Sequence, residues 1–415
     1  MKLFQEAHSC LMDILYKKTP FKLAIENTCS KITIQHEDRK NLNNVVGCSL
    51  RHFYIFDYLI SQLKKDFNDE QKVTLYLYLS NRLFVPVFKD EEVQARLKSD
   101  QIAREDIEKL NELSLDKTKL IPEQYTNDTL EYLHFRYNVP IWVLKMWLKH
   151  FKGYTYKIVK TINRPSNHYA IVDSSLDKEE LLKSHPEFKL TPFEGLYLYE
   201  GSVAPKRHSL YKEGKAVSIS PAEHYLLTVL DLDVLRKIAM YSETYNNIHL
   251  DLKALLSSRY QMDVISGSPE SYYTVKKDIE KYRLKNVNLY EANHSSIITC
   301  LSEKVHTFFV LPANSNFAEF RKSPDYFNRI DVGELDGFIA NQKKSLLDAS
   351  DFVEDGGNLV YMVPTMNKKE TAQIVDEFLK EKQSFTLVEQ KQFLPFDKYD
   401  SSLFIAIFKK EVSND

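Results

Sequence analysis

Glycine is scarce in this chain: 10 residues of 415, where a composition of about 7% would give roughly 29. Turns that press backbone against a nucleotide favour glycine, which takes positive φ without strain. None occurs between Lys215 and Ser266, and no Walker loop is present. Cysteine is sparse as well. Cys10, Cys29, Cys48 and Cys300 stand at no metal-ligand spacing and form no disulfide framework, so each reads as a small core residue. No apolar run reaches the ~18–20 residues that cross a bilayer. Charge of one sign is missing too: 56 basic against 58 acidic residues leave a net charge of −2. That balance excludes gross attraction to nucleic acid, so RNA binding would have to come from local basic patches. There is no Gly-x-Ser-x-Gly elbow and no His-Glu-x-x-His zinc helix, and the 12 histidines are scattered. No metal site is expected. The opening "MKLFQEAHSCLMDILY" carries acids on a helical period rather than a signal-peptide plan, so a cytoplasmic protein is expected.

What is present alternates in character along the chain. Residues 1–115 read as all helix, with Leu3, Phe4, Ala7, Leu11, Ile14 and Leu15 on one face. Further helices are expected at "NNVVGCSLRHFYIFDYLISQL" and "EQKVTLYLYLSNRLF", and a solvated one at "EEVQARLKSDQIAREDIEKLNEL". Residues 116–128 are polar, proline-containing and aperiodic, as a linker is. Residues 129–215 read as a small α+β domain. It opens with a helix at "RYNVPIWVLKMWLKHFKG", whose Trp142 and Trp147 are core or domain-interface residues rather than stacking platforms. The strand "HYAIVD" follows, then a helix whose start is marked by Asp177 and Glu180 at capping-box spacing. Over 216–412 strands and helices alternate through "MDVISG", "NVNLYEA", "HTFFVLP" and "NLVYMV", with a terminal hairpin of "SFTLVEQ" and "SLFIAIFKK". Such alternation predicts a mainly parallel sheet covered on both faces.

Several stretches resemble, in order and at spacing, the RsmB (Sun, or Fmu) family of bacterial ribosomal RNA cytosine-5 methyltransferases. Arg136-Tyr137, Pro140, Trp142 and Trp147 fall on its Arg-Tyr-Ser-His-Pro-x-Trp motif and the second tryptophan beyond. Tyr211-Lys212-Glu213-Gly214 is similar to its Phe-x-x-Gly turn. "FFVLPANSNFAEFRKSPD" answers to the Asp-Ala-Pro-Cys-Ser-Gly loop and the Arg-Arg-x-Pro-Glu after it, with Ser315, Arg321, Lys322, Pro324 and Asp325 in register. Gly356 to Tyr361 resembles the Gly-Gly-x-Leu-Val-Tyr that leads into Ser-Thr-Cys-Thr. The resemblance implies a multidomain fold: an all-α NusB-like bundle, a small α+β RNA-recognition domain and a Rossmann-like class I methyltransferase core.

The same comparison implies that the chemistry is gone. One family cysteine attacks C6 of cytosine and a second helps release the product; those positions fall at Pro364 and Asn314. Neither a pyrrolidine ring nor an amide replaces a thiolate. The aspartate that holds the cytosine edge falls at Leu311. On the donor side, the glycine-rich turn should lie within "LRKIAMYSETYNNIHLDLKALL", the ribose acid within "VISGSP" with Glu270 arriving late, and the adenine-side acid at Asn293. The Gln-Asp-Glu ahead of the core becomes Ile219-Ser220-Pro221. Cys300, some ten residues before its strand, is no replacement nucleophile.

The expectation is an RNA-binding protein, ribosomal RNA its partner, on a methyltransferase scaffold without turnover. Its RNA contacts are expected at Arg321 and Lys322, at Lys206, Arg207 and Lys212, and at Arg39 and Arg51. Two alternatives stand beside it. One is an active enzyme with a divergent site, which alone would require S-adenosylmethionine. The other is a protein-interaction module working through the helical domain.

Overall fold

The computed structural model describes residues 3–30, 35–116, 118–173, 175–230, 232, 236–256, 260–292 and 301–412. Contacts divide the chain into two units. The first is Met1–Pro165 together with Glu319–Ile330; the second is Ser166–Ala318 with Asp331–Asp415.

The first unit is helical. At its centre runs Asp69–Leu83, started by a capping box between Asn68 and Gln71 and buried without a break from Val73 to Ser80. A helix apolar on every side must be enclosed by others. Leu3–Tyr16 and His36–Arg51 help enclose it. Three stretches that periodicity reads as single helices are divided. The first is cut at His52 (φ −118°), between His36–Arg51 and Phe53–Ser61. The His52 ring stacks on Phe84 with centroids 4.2 Å apart. The second is cut between Asp90–Ser99 and Arg104–Leu113. The third ends at Asn138, which takes the left-handed conformation before Pro140 and separates Leu130–Tyr137 from Ile141–Phe151. Asn138 also repairs the first break: its amide donates to Leu50 O at 2.8 Å and accepts from Tyr54 N at 3.0 Å. Buried backbone groups rarely stay unpaired, so a break at one place calls for a polar side chain from another.

Residues 319–330 pack within this helical unit. Phe320 and Phe327 lie against the buried Trp147, with ring centroids 5.8 and 6.3 Å away. Asp325, fully buried, accepts from Phe21 N at 2.9 Å and so caps the helix Phe21–Ser30. Arg329 donates to the same carboxylate oxygen.

The second unit holds two sheets. β1 (His168–Val172), β2 (Phe188–Leu190), β3 (Leu196–Tyr199) and β4 (Ala216–Ser218) form an antiparallel sheet in the order β2-β3-β1-β4. The larger sheet comprises β5 (Lys237–Ser242), β6 (Gln261–Ser266), β7 (Val287–Glu291), β8 (Val305–Leu311), β9 (Val353–Val363), β10 (Phe385–Gln392) and β11 (Phe404–Lys410). Its order is β10-β11-β9-β8-β5-β6-β7. Neighbours from β7 through to β9 pair in parallel, and β11 runs antiparallel to both β9 and β10. The expected hairpin is the β10–β11 pair. Sheets covered on both faces need strands apolar on both sides. β8 shows this: Phe308 and Val310 join the core on one face, Phe309 and Leu311 that on the other.

Two of the few glycines have a geometric reason. Gly356 sits at φ +73°, and a Cβ on Gly357 would meet His306 O at 2.7 Å, where β9 bulges against β8. No helix among the described residues is long and apolar enough to cross a membrane.

Candidate functional site

In open α/β sheets the chemistry lies beyond the carboxyl ends of the strands. Here β8 and β9 are parallel neighbours, with Val310 opposite Tyr361, so the turns that follow them meet. Leu311 is buried, while Asn314 and Pro364 are half-buried. The three positions singled out in the sequence are therefore gathered at one place by two strands about fifty residues apart. The Asn314 amide serves its own turn: Nδ2 donates to Pro312 O at 3.0 Å and Oδ1 accepts from Asn316 N at 2.7 Å. Asn316 takes φ +51°, which asparagine tolerates. Pro364 offers only its carbonyl, which accepts from Ala318 N at 3.1 Å.

Beneath these turns is a group that sequence reasoning missed. Glu370 is fully buried, and its carboxylate accepts from Ser315 N (2.8 Å), Ser315 Oγ (2.6 Å), Gln342 Nε2 (3.0 Å) and Asn367 Nδ2 (3.0 Å). The Thr365 hydroxyl lies 2.7 Å from Ser315 Oγ and 3.3 Å from the Glu370 carboxylate, and its one proton has an acceptor in either. Gln342 also donates to Ala313 O at 3.0 Å, and Tyr361 OH to Glu370 O at 2.8 Å. Burial, then the charge of Glu370, pushes the Tyr361 hydroxyl well up. The result is a polar knot that ties both turns to one carboxylate, with only Gln342 Oε1 of its side chains left without a donor among the described residues. These donors to the carboxylate are all neutral. Only a lone Lys-Lys-Glu, with no motif around it, stood in the sequence to signal it.

The turn after β5 is where the sequence resemblance puts a glycine-rich stretch. Ser242 Oγ donates to Thr244 O, Asn246 Nδ2 donates to Ser242 Oγ at 2.6 Å, and Asn246 Oδ1 accepts from Ile248 N at 3.1 Å to start the helix Ile248–Leu256. Side chains do here what glycines would do with backbone alone. Glu243 N donates to Leu311 O at 3.0 Å and Gly267 N to Ser242 O at 2.8 Å, so the ends of β5, β6 and β8 are tied together. The Glu243 carboxylate accepts from Tyr241 OH and covers Gly267, where a Cβ would lie 2.5 Å from Oε2. Burial, then this bond, pushes the Tyr241 hydroxyl up. Glu270 is exposed in the first turn of the helix Pro269–Tyr282. Ser220 forms a capping box with Glu223 at the start of Pro221–Val229, a Ser-x-x-Glu signature not recognised in the sequence. Asn293 and Cys300 lie outside the described residues.

The basic residues fall in both units. Arg39 and Lys322 are exposed in the helical one. Arg51 is exposed there by accessible surface, although burial of its guanidinium holds its pKa down. Arg321 Nη2 donates to Pro165 O at 3.0 Å, which anchors its segment. Lys206, Arg207 and Lys212 are exposed in the α/β unit, around the short helix Ser209–Lys212.

Neither a protein-family model nor a curated relative matches the sequence. Solved structures do. PH0851 is 14% identical and superposes with TM-score 0.75 over 98% of this chain and 99% of that one. NSun6 from Pyrococcus horikoshii, solved with SFG, is 13% identical, with TM-score 0.59 over 67% of this chain and all (100%) of that one. A methyltransferase homolog from Pyrococcus horikoshii is 12% identical, with TM-score 0.58 over 69% and 100%. At such identities the likeness is one of shape. Strand order, the reversed last strand and these superpositions agree: the chain has a helical N-terminal region and the Rossmann-like fold of class I methyltransferases.

Proposed function

We propose that this chain is an RNA-binding protein on the scaffold of an RNA cytosine-5 methyltransferase, and that it transfers no methyl group. The reading rests on the ends of β8 and β9, where the attacking and releasing thiols of such a reaction would stand. Pro364 has no nucleophile, and the Asn314 amide is engaged by its own turn. Ribosomal RNA is the proposed partner, through Arg39, Arg51, Arg321 and Lys322 on one unit and Lys206, Arg207 and Lys212 on the other. The helical region is NusB-like in this reading.

Incubating the purified chain with ribosomal RNA fragments and methyl-labelled S-adenosylmethionine should leave the RNA unlabelled. The same fragments should shift in a gel, less so as salt rises. Heat-labile transfer of label overturns the loss of catalysis. Absence of any salt-sensitive shift overturns the RNA reading and favours a protein partner.

A further inference from the structure

We propose that His185, Glu187 and His208 form a binding site for a divalent transition-metal ion of the Zn2+ type. The three come from two stretches of chain. His185 terminates the helix Lys178–Ser184, Glu187 directly precedes β2, and His208 caps the helix Ser209–Lys212. Their ligand atoms all lie within 4.8 Å of one another. His185 Nδ1 is 3.4 Å and His208 Nε2 2.5 Å from the same Glu187 oxygen. Ligands of a tetrahedral zinc ion at about 2.0–2.1 Å stand roughly 3.3 Å apart, so one pair already has the spacing and the other must open slightly. Two imidazoles and a carboxylate suit a borderline ion, and three protein ligands leave a position for water. The side chains are 27%, 24% and 12% exposed, in the order His185, Glu187, His208, so an ion can enter.

The surroundings favour a fixed site. Phe188 packs edge-on to both imidazoles, with centroids 6.4 and 5.4 Å away, and Tyr199 stands 5.6 Å from His208. No lysine or arginine pairs with Glu187 among the described residues. What an ion must displace is also visible. His208 Nδ1 accepts from Leu210 N at 3.3 Å, which leaves the proton of the neutral ring on Nε2, facing Glu187. Coordination through Nε2 requires that single proton to move to Nδ1, with no net release, and gives up the long Leu210 contact. An ion here would cross-link the end of one helix to the start of another beside the four-stranded sheet, next to Lys206, Arg207 and Lys212.

The test is calorimetric titration of the tag-free, chelator-stripped full chain with ZnCl2. One saturable equivalent is expected, with a rise in melting temperature. His185→Ala, Glu187→Gln and His208→Ala should each weaken binding at least about tenfold, while His36→Ala, in the other unit, should not. X-ray absorption at the zinc edge of the wild-type complex serves if the variants misfold, and should show nitrogen and oxygen neighbours at about 2.0–2.1 Å including imidazole. No saturable equivalent, binding indifferent to all three substitutions, or a sulfur-ligated ion overturns the proposal.

Discussion

Glu370 in the α/β unit and Asp325 in the helical unit are both fully buried carboxylates, and the two are held differently. Glu370 in the α/β unit is met by neutral donors on both oxygens. Asp325 in the helical unit is met on one oxygen by a backbone N–H and by Arg329, and its Oδ1 finds no donor among the described residues. Neutral donors around a buried carboxylate demand that several backbone turns be placed correctly at once. The Glu370 knot is thus the stricter piece of architecture, and it stands beneath the two turns that carry Asn314 and Pro364.

The largest break in this comparison should come from Glu370→Ala. It leaves several buried donors without acceptors, each costing about 1–3 kcal/mol, for a loss of at least about 3 kcal/mol in urea unfolding. A loss below about 1 kcal/mol would mean the turns are fixed by packing instead. Asp325→Ala comes next, with about 2 kcal/mol lost through the helix cap and the Arg329 bond. Both tryptophans, Trp142 and Trp147, lie in the helical unit, so tryptophan fluorescence should report this loss and miss much of the Glu370 effect if the units unfold separately.

A third effect separates the units by pH. His8, His52 and His134 in the helical unit are all held below 6.5, each chiefly by burial. The unfolded chain therefore binds protons more readily, and the helical unit should lose stability as pH falls below about 6.5. The α/β unit has one such histidine, His224, also lowered chiefly by burial, and Asp251 there has the opposite sign: burial, then the nearby Glu223 charge, raises its carboxyl well above 3.8. The stability it contributes is full below 3.8 and is lost as pH rises from there. Acid should thus melt the tryptophan signal first, while amide exchange in β8 and β9 stays slow. Simultaneous loss of both signals would erase the distinction. The smallest effect is Asp251→Asn, expected to stabilise slightly near pH 7, by less than about 1 kcal/mol, and to lose that advantage at pH 4.

Much of the fold was legible. The alternation of apolar strands with helices predicted the covered sheet, because strands buried on both faces read as short continuous apolar runs. The helix breaks at His52 and Asn138 were not legible, since the repair is made by an amide 84 residues from the N–H it accepts. At the candidate site, Leu311, Asn314 and Pro364 could be placed because strand, turn and spacing are local signals. Glu370 could not, as its partners come from three separated stretches. The His185–Glu187–His208 group was passed over for the same reason: His208 lies 21 residues from Glu187, with two strands between.

The sequence by itself determined that positions 314 and 364 carry no thiol, because residue identity does not depend on the fold. It also determined where strands and helices alternate, because periodicity is a property of neighbours along the chain. Only the tertiary structure decided which polar groups are satisfied, which carboxylates are buried, and which histidines share a carboxylate. Those depend on the approach of distant segments, and the free energy of a buried polar group depends on every neighbour it meets.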